Sequence, residues 1–161
     1  MRKSLAAFTI FNVLGASITF ASASFAADTH VITTTSSVAW TYNGQSSKTN
    51  GTPVIVDDLK IGDIIEIKVP DDATHGLITI KRLANVRPPS DNETKDPVLA
   101  CGESDKSSAM LREIDCGAAS QFGQGFTGSM KLEVLANFTG EINFWCVFHH
   151  FGMTGTLKLK P

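Results

Sequence analysis

Short segments in which apolar and polar residues alternate constrain the fold of this 161-residue chain more than any other feature. In one segment Ile65, Ile67 and Val69 alternate with charged residues, and a period of two places the apolar side chains on one face of a β-strand. The same alternation recurs over 130–134, and other short segments are rich in β-branched and aromatic residues. Because turn residues separate these segments and helical periodicity is almost absent, the sequence predicts an all-β sandwich or barrel.

The N-terminal residues have the pattern of a secretory signal peptide. Two basic residues, Arg2 and Lys3, precede an apolar stretch, and Ser24 and Ala26 occupy the small-residue positions before a cleavage site. The apolar stretch is shorter than the roughly 20 residues that cross a bilayer, which argues against the alternative of a transmembrane anchor. We therefore predict a signal peptide at 1–26 and a periplasmic or secreted protein.

The remaining residues, 27–161, have the length of one domain that buries its own core. No second apolar span follows, so we expect a soluble monomer without a membrane partner. The net charge of the chain is −2 at pH 7 and becomes more negative once the basic N-terminal residues are removed. Since nucleic-acid binding depends on a basic surface, we expect no nucleic-acid partner.

The chain has three cysteines, an odd number for a protein of an oxidising compartment. We expect one disulfide and one thiol kept for another purpose. The segment 85–124 lacks clear periodicity and is long for a loop in a compact domain, where such loops tend to be functional or tied down. Cys101 and Cys116 lie in this segment and offer such a tie, although either is also free to pair with Cys146. A short helix is predicted over 107–114.

A short segment near the C-terminus gathers four candidate metal ligands. Cys146, the adjacent residues His149 and His150, and Met153 offer a thiolate, two imidazoles and a thioether. Two histidines and a thiolate in one plane, with a weakly bound axial Met, form the blue-copper electron-transfer site. The segment supplies every ligand except one imidazole, and His75, at the break between a turn and a strand, is the best candidate for it.

Each of these residues also has an ordinary structural interpretation. Taken singly, His75 suits a solvated turn, Met153 suits the core, and Cys146 suits a small buried apolar position. A free thiol in an oxidising compartment needs protection, and metal ligation provides it by holding the sulfur as a thiolate. The four ligand types together therefore favour a metal centre.

At these residues the sequence resembles the cupredoxin family, which includes plastocyanin, amicyanin and azurin. An aromatic-rich strand ends in Cys146, a histidine follows, and 152–155 leads into a final alternating strand. Upstream, 60–63 precedes an alternating strand, and 72–76 resembles the segment that carries the first copper histidine of the family, here His75.

The resemblance implies a Greek-key antiparallel β-sandwich and one copper ion that cycles between Cu(I) and Cu(II). In plastocyanin-like and amicyanin-like proteins the loop histidine follows the cysteine after two residues, which selects His149 and leaves His150 as the alternative. The implied copper ligands are His75, Cys146, His149 and Met153. The segment 85–124 departs from the family, and we interpret it as an insertion tied by a Cys101–Cys116 disulfide.

The function that the resemblance implies is one-electron transfer with a redox partner protein, such as a c-type cytochrome or an oxidoreductase. The alternative is a copper-binding protein for carriage, storage or tolerance, which would pass copper to an acceptor. An enzyme is the third class. A site with four protein ligands has no open position for a substrate, and the sequence offers no acid–base pair or second metal cluster, so we expect no catalysis.

Overall fold

The computed structural model describes residues 26–34, 38–70, 73–81, 99–117, 121, 123–149 and 152–161. Within these ranges the chain forms twelve β-strands and no α-helix. The predicted signal peptide, apart from residue 26, and the predicted alternative ligand His150 lie outside the described residues. In the described part of the chain, no helix has the length and apolar character needed to cross a membrane.

The twelve strands are short, each between two and seven residues long. They are β1 (Thr29–Thr34), β2 (Trp40–Tyr42), β3 (Gln45–Ser46), β4 (Val54–Leu59), β5 (Ile64–Val69), β6 (His75–Lys81), β7 (Leu99–Cys101), β8 (Leu111–Glu113), β9 (Gly125–Phe126), β10 (Gly128–Val134), β11 (Glu141–Cys146) and β12 (Thr154–Leu159).

The strands form two sheets that share one core. The first sheet has the order β3-β2-β1-β5-β10-β8-β7, and the second has the order β4-β12-β11-β6-β9. The predicted all-β sandwich is confirmed. Both sheets are mixed, because β1 and β5, β7 and β8, and β4 and β12 pair in parallel. Parallel neighbours need a crossover connection, and the chain between β1 and β5 provides one by passing through β4 of the second sheet.

The period-two alternation builds the inner face of the first sheet. Ile65 and Ile67 of β5 are buried and lie opposite Leu132 and Met130 of β10, which are also buried. Each fully buried side chain of this size stabilises the fold by about 1.5–3 kcal/mol. Apolar residues of the second sheet pack against this face; they include Val54, Val56, Leu77, Ile142, Phe144 and Leu157.

The disulfide predicted between Cys101 and Cys116 is present, with Cα atoms 5.5 Å apart, and Cys146 is a free, buried cysteine. β7 and β8 lie in the segment 85–124, so part of this segment extends the first sheet. The predicted helix over 107–114 is wrong, because Leu111 pairs with Val134 of β10. The segment contains good helix formers, but burial beside β10 outweighs this weak local preference.

Replacing Cys101 and Cys116 together with serine should lower the free energy of unfolding by about 3 kcal/mol, the value expected for a loop of about 15 residues. The bond joins residues separated by 15 positions and so restricts the unfolded chain. Urea unfolding of the oxidised protein and of the double variant measures the difference. An unchanged unfolding midpoint in the variant would contradict this prediction.

Candidate metal centre

Strand pairing in the second sheet brings His75 and Cys146 to the same end of the sandwich. β6 begins at His75 and β11 ends at Cys146, and the two strands are antiparallel, with Cys146 opposite Leu77. On its other side β6 pairs with β9, where His75 lies opposite Phe126. Both candidate ligands are buried, His75 with 5% and Cys146 with 0% of its surface exposed.

The connection from β11 to β12 folds back on itself and carries the other candidate ligands. The N–H groups of Gly152 and Met153 both donate to the carbonyl oxygen of His149, at 2.9 and 3.3 Å. The N–H of Cys146 donates to the carbonyl oxygen of Met153 at 3.0 Å. These bonds hold the backbone of His149 and Met153 close to Cys146.

Two imidazole nitrogens flank the thiol sulfur. The Sγ atom of Cys146 lies 3.6 Å from Nδ1 of His75 and 3.5 Å from Nδ1 of His149. The three candidate ligand atoms lie within 4.8 Å of one another, and no other such group of His, Cys, Asp and Glu occurs in the described residues. The structure therefore brings together three of the four residues that the sequence predicted as ligands.

These distances fit a shared metal ion. A neutral thiol has one proton, so it donates to only one of the two Nδ1 atoms. A first-row ion such as Zn²⁺, bonded to sulfur at about 2.3 Å and to nitrogen at about 2.0 Å, leaves these atoms about 3.5–3.7 Å apart at tetrahedral to trigonal angles. Both sulfur–nitrogen distances match this separation.

The electrostatics of the centre favour a neutral imidazole at His75. Burial, and in second place the nearby His149, lower the pKa of His75 below its usual range. The ring centroids of the two histidines are 5.0 Å apart, close enough for two positive charges to repel. A neutral imidazole has a free lone pair, which is the form that binds a metal.

Met153 is fully buried, and its backbone lies beside Cys146 through the hydrogen bond described above. Its role as a weak axial ligand stays a prediction. Of the two adjacent histidines, His149 directs Nδ1 toward the sulfur. The alternative ligand His150 lies outside the described residues, so the choice between them is not tested.

Trp40 of β2 is a residue near the centre that the sequence reasoning missed. Its ring lies 5.9 Å from that of His75 and 6.2 Å from that of Phe144, and the side chain is fully buried. From the sequence, Trp40 was interpreted only as part of a strand. Its partners His75 and Phe144 lie 35 or more positions later in the chain, and no sequence motif links residues so far apart. Its position depends on how the two sheets pack.

One side of the centre reaches the surface. His149 is partly exposed, and Phe148, whose ring centroid is 6.5 Å from that of His149, is 56% exposed. Val38 is also exposed, and it lies close to Gly152 in the connection between β11 and β12, which we call the ligand loop. Phe148 and Val38 therefore give this end of the sandwich two exposed apolar side chains beside the connection from β11 to β12, whereas Gly152 itself is buried.

A second polar cluster joins β1 and β2 of the first sheet to β4 of the second sheet and belongs to the fold. Asp63 is buried and accepts a hydrogen bond from Nε2 of His30 at 2.9 Å. Nδ1 of His30 lies 2.8 Å from the Tyr42 hydroxyl, which donates to Asp58. Burial first, and then the hydrogen bond to Asp58, raise the pKa of Tyr42 to about 12. His30 is therefore a structural histidine of β1.

Gly155 of β12 supports the centre by leaving room for an aromatic ring. It lies opposite Phe144, and a Cβ atom at Gly155 would overlap the Phe144 ring. We expect Gly155→Ala to lower the free energy of unfolding by about 1–3 kcal/mol, because overpacking displaces the ring. Urea unfolding measures the loss. Gly117→Ala is the matched control, since a Cβ atom at that position meets nothing within 4 Å; equal losses in both variants would contradict the prediction.

The chain has distant structural likenesses to known proteins. No protein-family model and no curated protein sequence matches the chain. Among solved structures, auracyanin B is 14% identical, with 84% of this chain and 90% of that chain covered and a TM-score of 0.38. A reduced amicyanin variant is 13% identical, with 67% and 82% covered and a TM-score of 0.26. Likenesses at this level do not establish a family, and the interpretation of the centre rests on its own side chains.

Proposed function

We propose that the protein is a cupredoxin-like copper protein that carries single electrons in the periplasm or outside the cell. The observation that supports this function is the Cys146 sulfur between the Nδ1 atoms of His75 and His149, at 3.6 and 3.5 Å. A thiolate and two imidazoles suit copper and zinc. With Met153 as a weak axial ligand, the set favours copper over a closed tetrahedral zinc site.

Bound copper would supply the one-electron chemistry by changing between Cu(I) and Cu(II). The protein would hold His75 and Cys146 on the ends of two paired strands and His149 and Met153 in a loop closed by three hydrogen bonds. Ligands fixed in this way keep their geometry in both oxidation states, which lowers the reorganisation that accompanies electron transfer. Burial of Cys146 would keep water and oxidants away from the thiolate.

The electron would enter and leave through the partly exposed His149. The exposed apolar side chains of Phe148, beside His149, and of Val38, beside the loop, suit brief contact with a redox protein such as a c-type cytochrome, because small apolar contacts form and dissociate rapidly. Electron transfer of this kind requires neither an open ligand position for a substrate nor a catalytic acid–base pair.

The test is to titrate the purified protein with Cu(II) and record visible absorption and electron paramagnetic resonance. We expect uptake of one copper ion per chain, an intense thiolate-to-copper band, and reversible bleaching on reduction. Copper uptake without a sulfur-derived band would overturn the proposal. Release of copper to an acceptor on reduction, without reversible electron exchange, would instead favour copper carriage.

A further inference from the structure

The hairpin of β2 and β3 places Ser47 directly beside Trp40. Asn43 and Gly44 join the strands, and both have positive φ angles, 46° and 79°, as the tight two-residue turn of a twisted hairpin requires. The pairing of Thr41 with Ser46 continues beyond β3, where the N–H of Ser47 donates to the carbonyl oxygen of Trp40 at 2.9 Å.

The Ser47 hydroxyl connects this hairpin to the ligand loop. It accepts a hydrogen bond from the N–H of Trp40 at 2.9 Å and donates one to the carbonyl oxygen of Gly152 at 2.8 Å. Since a backbone N–H only donates and a carbonyl only accepts, the single hydroxyl proton must point to Gly152. Ser47 is 4% exposed, so water does not compete for these bonds.

The indole of Trp40 binds the next carbonyl along the loop. Its Nε1–H donates to the carbonyl oxygen of Met153 at 3.0 Å. The same oxygen accepts the N–H of Cys146 at 3.0 Å, so both of its acceptor positions are used. One carbonyl therefore joins Trp40, the backbone of the cysteine ligand and the backbone of the candidate axial ligand.

The ring of Trp40 also packs against the histidine on the opposite side of the centre. Its centroid is 5.9 Å from that of His75. Val38, two residues before the start of β2, limits the space at Gly152, where a Cβ atom would lie 3.1 Å from both the carbonyl oxygen and a methyl group of Val38. The hairpin region thus contacts His75 of β6 on one side and Gly152 and Met153 of the loop between β11 and β12 on the other.

We propose that Trp40 and Ser47 are positioning residues of the copper centre, an inference that rests on the proposed function. Their hydrogen bonds fix two successive carbonyls of the ligand loop, and so set where the side chain of Met153 lies relative to Cys146. The weak axial ligand is the one most easily displaced, and its distance tunes the reduction potential of such a centre.

Trp40→Phe and Ser47→Ala test this role. Trp40→Phe keeps an aromatic ring beside His75 but removes the Nε1–H, and Ser47→Ala removes the hydroxyl. In the copper-loaded protein we expect each variant to shift the thiolate-to-copper band and the reduction potential. In the metal-free protein we expect hydrogen exchange at the amides of Cys146, Gly152 and Met153 to become about tenfold faster, as loss of one buried hydrogen bond allows.

Tyr42→Phe is the matched control. It removes a buried hydroxyl from the same hairpin, but that hydroxyl binds His30 and Asp58 and not the ligand loop. We expect lower stability with an unchanged band and potential. Ser47→Thr keeps the hydroxyl and should restore the wild-type spectrum that Ser47→Ala loses.

The outcomes separate this inference from the proposed function. If the wild-type protein shows the thiolate-to-copper band and both variants keep its position and the reduction potential, the positioning role is wrong, whatever happens to exchange. If Tyr42→Phe shifts the band as far as Trp40→Phe does, general destabilisation explains the effect and the inference is also wrong. A wild-type protein without the band overturns the proposed function, while amide exchange in the metal-free variants still measures whether the hairpin holds the loop.

Discussion

Replacing Cys146 with serine should abolish the thiolate-to-copper absorption completely and leave the fold intact. The band requires a sulfur bonded to the ion, and a serine hydroxyl stays protonated at neutral pH and is a hard, weak ligand for copper. Serine is similar in size to cysteine, and its hydroxyl finds Nδ1 of His75 or His149 as a hydrogen-bond acceptor in the same place. Absorption and paramagnetic resonance spectra after addition of one equivalent of Cu(II) measure the loss, and circular dichroism checks the fold.

The double replacement of Cys101 and Cys116 with serine is the matched control, because it also removes sulfur atoms but leaves Cys146 free. It should lower stability and retain the band. A band that survives in Cys146→Ser, or one that disappears only in the double variant, would show that the sulfur of Cys146 does not bind the ion.

The sequence pointed to the three residues that the structure brings together because each combines a ligand type with a recognisable place beside a strand. Cys146 and His149 are three positions apart, and the loop between two strands returns them to the same end of the sandwich. His75 was found by its place at the start of a strand, and the antiparallel pairing of β6 with β11 brings it to the cysteine. Trp40 was missed since its contacts arise only when the two sheets pack face to face.

The alternating segments predicted the buried faces of β5 and β10, because a period of two leaves a strand only one way to bury its apolar side chains. The parallel pairing of β1 with β5 was not predicted, since it depends on the crossover through β4 and not on either strand's own residues. β8 was predicted as part of a helix because its segment contains good helix formers. That local preference is weak, and pairing with β10 overrides it.

Asp63→Ala should lower the free energy of unfolding by about 3–5 kcal/mol, the cost of removing one partner of a buried charged cluster. The Asp63 carboxylate is 2% exposed and accepts hydrogen bonds from the N–H groups of Asp28 and Lys60 and from the His30 ring. Alanine leaves the buried His30 ring and the part-buried N–H groups of Asp28 and Lys60 without this acceptor, at the point where β1 meets the turn before β5. Urea unfolding measures the loss, with Asp57→Ala, an exposed carboxylate of β4, as a control that should change stability by less than about 0.5 kcal/mol.

The same carboxylate should make the stability of the protein sensitive to acid. Burial alone would raise the pKa of Asp63, but the hydrogen bonds from His30 and from the backbone of Lys60 and Asp28 outweigh it, so the pKa lies below its ordinary value. The native protein therefore binds fewer protons at this site than the unfolded chain does. The stabilisation is complete above the unfolded value of about pH 4 and is lost as the pH falls through the lower, folded pKa. Urea unfolding of the wild-type protein and of Asp63→Ala between about pH 7 and about pH 3 measures this effect. We expect the difference in the free energy of unfolding between the two proteins to become smaller as the pH falls. A constant difference across this range would show that the pKa of Asp63 does not change on folding.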